Sequence, residues 1–301
     1  MATGAASGDG TTNGAYRLIV AVGDPSYSTQ LVRTAVDIAR AQGGEVMVIT
    51  VVHKPHDSPF SVFSDEAIRT EFAGDRREIL ENALAVADDT VPVDGRVVVG
   101  TDVARAIRSA VAELGADALL VGWHGRPRRG GIVLGSTIDD LLRRIDCDVL
   151  VERIGPTADG VERVLLPVAG GPHLSLAASV AEAIAGANDA TVVVLSVVAP
   201  SADEAERETA RGHIEEATDL LSVPIETELL EASGVEDAVV EAAAECDLVV
   251  FGATRRGVVR RRLVGSVPQA VGRRSNRTVI VARRRLDRSL FGRLAGRLWD
   301  R

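Results

Sequence analysis

Short apolar runs alternate with longer amphipathic stretches along most of this chain. The apolar runs are rich in Val, Ile and Leu and have no polar side, which is typical of strands covered on both faces of a parallel sheet. The amphipathic stretches repeat their apolar positions at helical spacing. This alternation predicts an α/β fold in which helices cover both faces of a doubly wound parallel sheet.

The same order of elements occurs twice along the chain. In the first part, strands are predicted at residues 16–22, 45–52, 95–99, 118–122 and 148–154, with helices at 28–42, 65–87, 103–114 and 137–144. In the second part, strands are predicted at 163–168, 191–198, 225–230, a run ending at 252, and 278–282, with helices at 174–187, 202–221 and 235–244. We therefore expect two domains, residues 16–154 (half one) and 161–283 (half two), joined by a turn-rich linker.

Glycines mark the end of the fourth predicted strand of half one. Gly122 and Gly125 follow that strand, and Gly135 and Ser136 precede the next predicted helix, with nine residues between the two pairs. Glycine has no Cβ, so backbone at these positions can approach a ligand closely. A helix start presents N–H groups and the positive end of the helix dipole. The pattern predicts a phosphate-binding loop that needs no lysine.

The spacing Gly122-x2-Gly125-x9-Gly135-Ser136 resembles the nucleotide-binding motif of the universal stress protein family, and the resemblance covers most of the chain. It implies two tandem Rossmann-like domains of the adenine nucleotide alpha hydrolase type, with strand order 3-2-1-4-5. The site would lie where that order reverses, at the carboxyl ends of the first and fourth strands. The resemblance also implies that half one binds ATP or another adenine nucleotide in a regulatory, non-enzymatic role.

The resemblance assigns a role to each residue of the motif. Gly122 and Gly125 would let the sugar and phosphates approach the backbone. Gly135 and Ser136 would hold phosphate oxygens, and the amide of Thr137 would add another donor. A tight loop between a strand and a helix, without a ligand, is the alternative interpretation of the same glycines.

Five further candidate residues surround the motif. The family commonly has an aspartate directly after the first strand, whereas this chain has Gly23 there and Asp24 one residue later. Asp24 either serves the nucleotide or caps the following helix, and Val52 either presents its backbone to the base or belongs to the core. His124 has no evident catalytic partner in the sequence, so no catalytic residue is predicted. Arg126 either contacts phosphate or belongs to a solvated loop face.

Half two retains only part of the motif. Its sequence reads Gly252-Ala-Thr-Arg255, then nine residues, then Gly265-Ser266, so Arg255 stands in place of the second glycine. No carboxylate follows its first strand, at residues 169–172. Arg255 either contacts phosphate or fills the pocket. We expect weakened or lost binding, with half two serving as a structural partner of half one.

Composition and charge limit the kinds of partner, the metal sites and the cellular location that we expect. The net charge of −9 argues against general nucleic-acid binding. Cys147 and Cys246 lack metal-ligand spacing and are expected to be buried thiols, and no metal site is predicted. Residues 1–15 lack the features of a signal peptide and are expected to be disordered. No apolar run is long enough to span a membrane, so we expect a cytoplasmic protein.

The last residues and the family's mode of pairing suggest partners. Residues 284–301 form a basic, imperfectly amphipathic tail that either packs on its own domains or touches an anionic membrane or a partner. Family members pair through their last strands, which implies an internal pair of halves here and a monomer or a homodimer of tandem chains. Half two also resembles stress-protein domains associated with haloarchaeal amino-acid transporters. A nucleotide-independent module that regulates a transporter is therefore the first alternative function, and a slow ATPase is the second.

Overall fold

The computed structural model describes residues 15–54, 62–85, 90–123, 126–128, 131–133, 135–155, 160–253 and 265–285. Half one contains the strands β1 (Arg17–Val22), β2 (Glu45–His53), β3 (Val93–Gly100), β4 (Ala118–Gly122), β5 (Arg126–Arg128), β6 (Gly131–Val133) and β7 (Asp148–Arg153). Its helices are α1 (Pro25–Ala41), α2 (Asp65–Ala67), α3 (Gly74–Leu84), α4 (Val103–Leu114) and α5 (Ser136–Arg144), with a π-helical segment at Ile68–Phe72.

Half two repeats this plan. Its strands are β8 (Arg163–Pro167), β9 (Thr191–Val198), β10 (Ile225–Glu231), β11 (Leu248–Gly252) and β12 (Thr278–Arg283). Its helices are α6 (Leu174–Asn188), α7 (Glu204–Thr218), α8 (Val235–Ala244) and α9 (Ser266–Arg274). Most of the predicted N-terminal segment, of the linker and of the basic tail lies outside the described residues. The same is true of the single residues His124, Gly125 and Arg255.

Ten strands form one continuous sheet in the order β10-β9-β8-β11-β12-β7-β4-β1-β2-β3. Within each half the strands run parallel in the order 3-2-1-4-5, which confirms the predicted topology. The halves meet at β7 and β12, which pair antiparallel with Val151 opposite Val281. The internal pairing implied by the family resemblance is therefore present in this chain.

Helices cover both faces of this sheet. One apolar layer lies under α1, α3, α6 and α7 and continues across both halves. The other lies under α4, α5, α8 and α9 and also crosses the seam. Both layers consist mainly of Val, Leu, Ile and Ala, and both contain fully buried strand residues, as expected for a doubly wound sheet. Cys147 and Cys246 are buried, as predicted.

Two arginines in equivalent strand positions tie the halves together at the seam. The Arg283 guanidinium donates hydrogen bonds to the carbonyl oxygens of Ile145 (3.1 Å) and Cys147 (2.9 Å) in half one. Arg153, at the equivalent position of β7, donates to the carbonyl oxygen of Arg277 in half two (3.3 Å). Each half thus satisfies backbone carbonyl groups of the other, in addition to the strand pairing.

The structure differs from the expectation of one long helix at residues 65–87. Ser64 caps α2 by accepting a hydrogen bond from the Ala67 amide (3.1 Å), and the chain then widens into the π-helical segment. At Ala73 the backbone leaves the helical region, and α3 starts anew at Gly74. The break lets Ile68 be fully buried while α3 packs on α1 and β2. This tertiary packing outweighs the local helical pattern.

Candidate functional site

A cleft of about 930 Å³ opens at the carboxyl ends of β1 and β4, where the strand order reverses. Loops after β1 and β4, the end of β2, and the starts of α1, α4 and α5 form its walls, and α3 reaches its mouth. The lining residues are Ala21, Val22, Gly23, Asp24, Tyr27, Leu31, Val51, His53, Arg76, Val103, Ile107, Val121, Gly122, Gly135, Ser136, Thr137, Ile138 and Leu141.

Six of the ten residues singled out from the sequence line this cleft, namely Gly23, Asp24, Gly122, Gly135, Ser136 and Thr137. Val52 lies in β2 between the lining residues Val51 and His53 and does not itself line the cleft. Arg126 begins β5, and only its backbone is described. The fold therefore places Gly122, at one end of the motif, and Gly135 and Ser136, at the other, in the same cleft. The functional roles of all ten residues stay predictions.

The start of α5 has the geometry of an anion site. Gly135 has φ +92° and ψ 151°, a backbone conformation that is essentially restricted to glycine. The first intrahelical bond of this turn runs from the Asp139 amide to the Gly135 carbonyl (3.1 Å). The amides of Ser136, Thr137 and Ile138 precede it, and α5 has no side-chain cap. These N–H groups, together with the helix dipole, favour a phosphate or another anion at this end of the cleft.

The deeper part of the cleft is apolar. Val51 and Val121 come from the sheet, Val103 and Ile107 from α4, and Ile138 from α5. Four of these five side chains are almost fully buried, and they belong to the apolar layer under α4 and α5. A site with an anion-binding rim and an apolar floor can hold a flat ring at one end and a phosphate group at the other.

Asp24 caps α1 and also faces the cleft. Its carboxylate accepts a hydrogen bond from the Ser26 amide (3.0 Å), and Pro25 occupies the first position of the helix. The helix therefore starts three residues earlier than its apolar pattern indicates. The capping interaction leaves the residue at the cleft wall, so the two interpretations of Asp24 are compatible.

Arg76 is a cleft residue that the sequence pattern did not reveal. Its guanidinium donates a hydrogen bond to the Gly23 carbonyl oxygen (2.8 Å), which links α3 to the loop after β1. His53, another lining residue, has its ring Nε2 3.0 Å from the Thr101 carbonyl oxygen. The positions of Arg76 and His53 in the cleft both depend on contacts between segments that are distant in sequence. The only available signal for Arg76 was its place in a charged helical stretch.

The corresponding pocket of half two is smaller and more apolar. It has a volume of about 140 Å³. Gly170 stands there in place of Asp24, and Val267 in place of Thr137. Pro268 has no N–H to offer at the start of α9, and Gly265 has an ordinary φ of −62°. The polar groups that could hold an anion are thus reduced at this site, in line with the degraded motif.

A fully buried carboxyl group lies next to the site. Glu152 in β7 is opposite Gly122 in the sheet, and its carbonyl oxygen accepts the Trp123 amide (2.7 Å). Burial raises the pKa of Glu152 to about 8, although hydrogen bonds from Thr34 and Gln30 lower it in part. At neutral pH this side chain is therefore mainly protonated.

No group of three or more His, Cys, Asp or Glu side chains in the described parts of the chain is arranged to hold a metal ion. None of the described helices combines the length and the apolar character that crossing a membrane requires.

Comparisons with known proteins agree with this fold. The Na(+)/H(+) antiporter NhaS5 of Synechocystis sp. is 26% identical over 157 residues, which cover 51% of this chain but only 21% of the antiporter. The putative universal stress protein SH1215 of Staphylococcus haemolyticus is 24% identical over 141 residues, covering 46% of this chain and 85% of that protein.

A solved structure matches almost the whole chain. The putative universal stress protein of Pseudomonas aeruginosa UCBPP-PA14 superposes with a TM-score of 0.60 and 18% identity, covering 94% of this chain and 98% of that one. The sequence profile of the Universal stress protein family matches residues 16–153 and 160–283, one segment in each half. The chain belongs to the universal stress protein family, with two tandem copies of its domain.

Proposed function

We propose that half one binds an adenine nucleotide, with ATP as the first candidate, as a regulatory ligand, and that half two is its structural partner. The division into residues 16–154 and 161–283 belongs to this proposal. The observation that carries it is the cleft in which both ends of the glycine motif meet an apolar floor.

Each part of the cleft has a distinct task in this proposal. The apolar side chains of β2, β4 and α4 receive the base, while Gly122 lets the sugar approach the end of β4. The amides of Ser136 and Thr137 hold phosphate oxygens at the start of α5. Arg76 and Asp24 stand at the mouth, where they favour a ligand with both a negative group and hydrogen-bond donors. No catalytic step is assigned to these residues.

Calorimetric titration of the intact chain with ATP, ADP and AMP tests the proposal. Gly135→Val forces a β-branched side chain into the backbone conformation of the phosphate loop, so we expect at least about tenfold weaker binding. Gly265→Val makes the same change at the equivalent position of half two, where φ is ordinary, and should leave the affinity unchanged. Thermal unfolding of both variants checks that they are folded. Equal affinities for the three proteins would contradict the proposal.

A transporter-associated role is the second candidate. The observation that favours it is the match between half of this chain and part of the NhaS5 antiporter of Synechocystis sp.. In this alternative, the domain pair contacts a membrane transporter directly and needs no nucleotide. Undetectable binding of every adenine nucleotide by the intact chain in the titration above would favour this candidate over the first.

A further inference from the structure

Trp123 connects the glycine loop of half one to half two. It directly follows Gly122, and its side chain is only 3% exposed. A Cβ placed on Gly272 of α9 would lie 3.4 and 3.5 Å from the indole atoms Cζ3 and Cη2. The indole therefore lies close to the backbone of a helix in the other half: a Cβ at position 272 would already touch the ring, and a longer side chain there would collide with it.

Arg153 strengthens the same contact from the seam. Its Cδ atom would lie 3.2 Å from that Cβ position on Gly272, and its guanidinium donates to the Arg277 carbonyl oxygen of half two. Burial lowers the pKa of Arg153, and nearby Tyr27, which lines the cleft, opposes this change. Arg153, which touches α9, is thus within electrostatic range of a residue of the cleft wall.

On the other side of the pseudo-symmetric seam the sizes of the two side chains are reversed, with the small residue after the strand and the large one in the helix. Ala253 occupies the position equivalent to Trp123, and Leu142 of α5 occupies the position equivalent to Gly272; both belong to the apolar layer that crosses the seam. Glycine inside a helix is less favourable than alanine. At position 272 it leaves the helix backbone open to the Trp123 indole and the Arg153 side chain.

We propose that half two sets the nucleotide affinity of half one through the contact between Trp123 and Gly272. Trp123 lies between Gly122 and Gly125, so its position fixes the backbone that is to meet the ligand. Strand β6, which lies between the two glycine pairs in sequence, is also close to α9 of half two. This inference rests on the proposed function of the cleft. It makes Trp123 a positioning residue and gives half two a role in binding without a nucleotide of its own.

The test uses the full chain with Gly272→Leu. The added side chain must displace the indole, so we expect ATP to bind about tenfold more weakly. Gly212→Leu is the matched control, since it makes the same exchange in helix α7, where a Cβ meets nothing within 4 Å. The control should bind ATP within about twofold of the parent chain, which corresponds to less than about 0.5 kcal/mol.

A compensating double variant separates positioning from general damage. Trp123→Ala combined with Gly272→Leu gives this side of the seam the residue sizes that Ala253 and Leu142 have on the other side. We expect the double variant to recover most of the affinity that Gly272→Leu loses, because the two side chains again fit together. Absence of any recovery in a folded double variant would contradict the positioning role.

Fluorescence provides a readout that needs no nucleotide. The chain has two tryptophans, so Trp299→Phe leaves Trp123 as the only indole emitter. In that background we expect weak quenching by acrylamide, stronger quenching after Gly272→Leu, and a change in emission when ATP is added to the parent.

The outcomes distinguish the two proposals. Parent-like ATP affinity of Gly272→Leu, together with increased quenching, would overturn the inference and leave the proposed function intact. If the parent chain binds no adenine nucleotide, the proposed function and the affinity role built on it both fail. In that case the quenching data still decide whether the contact exists, and unchanged quenching would refute it.

Discussion

Glu152 shows how a single side chain can make stability depend on pH. It is fully buried in β7, which lies between β4 of half one and β12, the last strand of half two. Thr34 of α1 donates a hydrogen bond to its carboxyl group (3.2 Å), and nearby Asp37 further disfavours the charged form. Within the described part of the chain, no arginine or lysine offsets this effect by lowering the pKa of Glu152. The group therefore relies on being protonated rather than on an ion pair.

This burial predicts a loss of stability as the pH rises. In the unfolded chain Glu152 ionises near pH 4.5, whereas in the folded protein it keeps its proton to about pH 8. Between these values the unfolded chain binds fewer protons, so the contribution to stability is complete below about pH 4.5 and is lost as the pH rises to about 8. Urea unfolding at pH 5.5 and 8.5 should show a decrease of about 3 kcal/mol from this group.

Glu152→Gln provides the check. The amide cannot ionise, so most of this pH dependence should disappear, and the variant should be more stable than the parent at pH 8.5. Glu241→Gln, at an exposed position of α8, is the control and should keep the parent's pH dependence. A parent-like profile for Glu152→Gln would show that the carboxyl group is ionised in the folded protein.

At the scale of elements, the seam between β7 and β12 depends on polar contacts as well as on strand pairing. Arg283 reaches across it to two carbonyl groups at the end of α5, whereas Arg285 forms an exposed ion pair with Asp146 (3.0 Å). These two arginines lie two residues apart, yet only the first satisfies backbone groups that are shielded from water. Their contributions to stability should therefore differ clearly.

We expect Arg283→Met to lower the free energy of unfolding by about 2 kcal/mol, since it removes two charge-assisted hydrogen bonds and leaves carbonyl groups without a donor. Arg285→Met should cost less than about 1 kcal/mol, because exposed ion pairs contribute little. Urea denaturation of both variants in parallel measures the difference. Similar losses for the two variants would show that Arg283 is not a specific link across the seam.

Most elements could be predicted from the sequence, because apolar runs covered on both faces have a strong signature. The broken helix after Ser64 and the hairpin of β5 and β6 could not, since neighbouring elements decide their shape. The residues of the candidate site divide in the same way, into those with a local sequence pattern and those placed by tertiary contacts. Its glycines and Ser136 carry a local pattern, whereas Arg76 and Trp123 gain their roles from segments that only the folded chain brings close.

At the scale of the whole molecule, internal pairing uses the strands through which two chains could otherwise meet. The remaining edges of the sheet are β10 and β3. Three glutamates line β10, at positions 226, 228 and 231, and the π-helical segment packs against β3. Charged and covered edges discourage pairing between chains. We therefore expect a monomer.

Light scattering can test this expectation. The intact chain should give a mass near 31.7 kDa, whereas a fragment ending at residue 154 should self-associate, because it exposes the apolar strand β7 without its partner. The fragment thus serves as a positive control for pairing through the last strand. A stable dimer of the intact chain would mean that β10, β3 or a helical face provides a second interface.

The Trp123–Gly272 contact also illustrates what covalent fusion makes available to a duplicated fold. In an assembly of two identical subunits, each substitution at a twofold interface appears twice, so an indole facing a bare helix backbone would have to occur on both sides at once. Joining the copies in one polypeptide removes that restriction. One copy can then keep the ligand site while the surface of the other copy changes to pack against it, and each of these changes depends on the other.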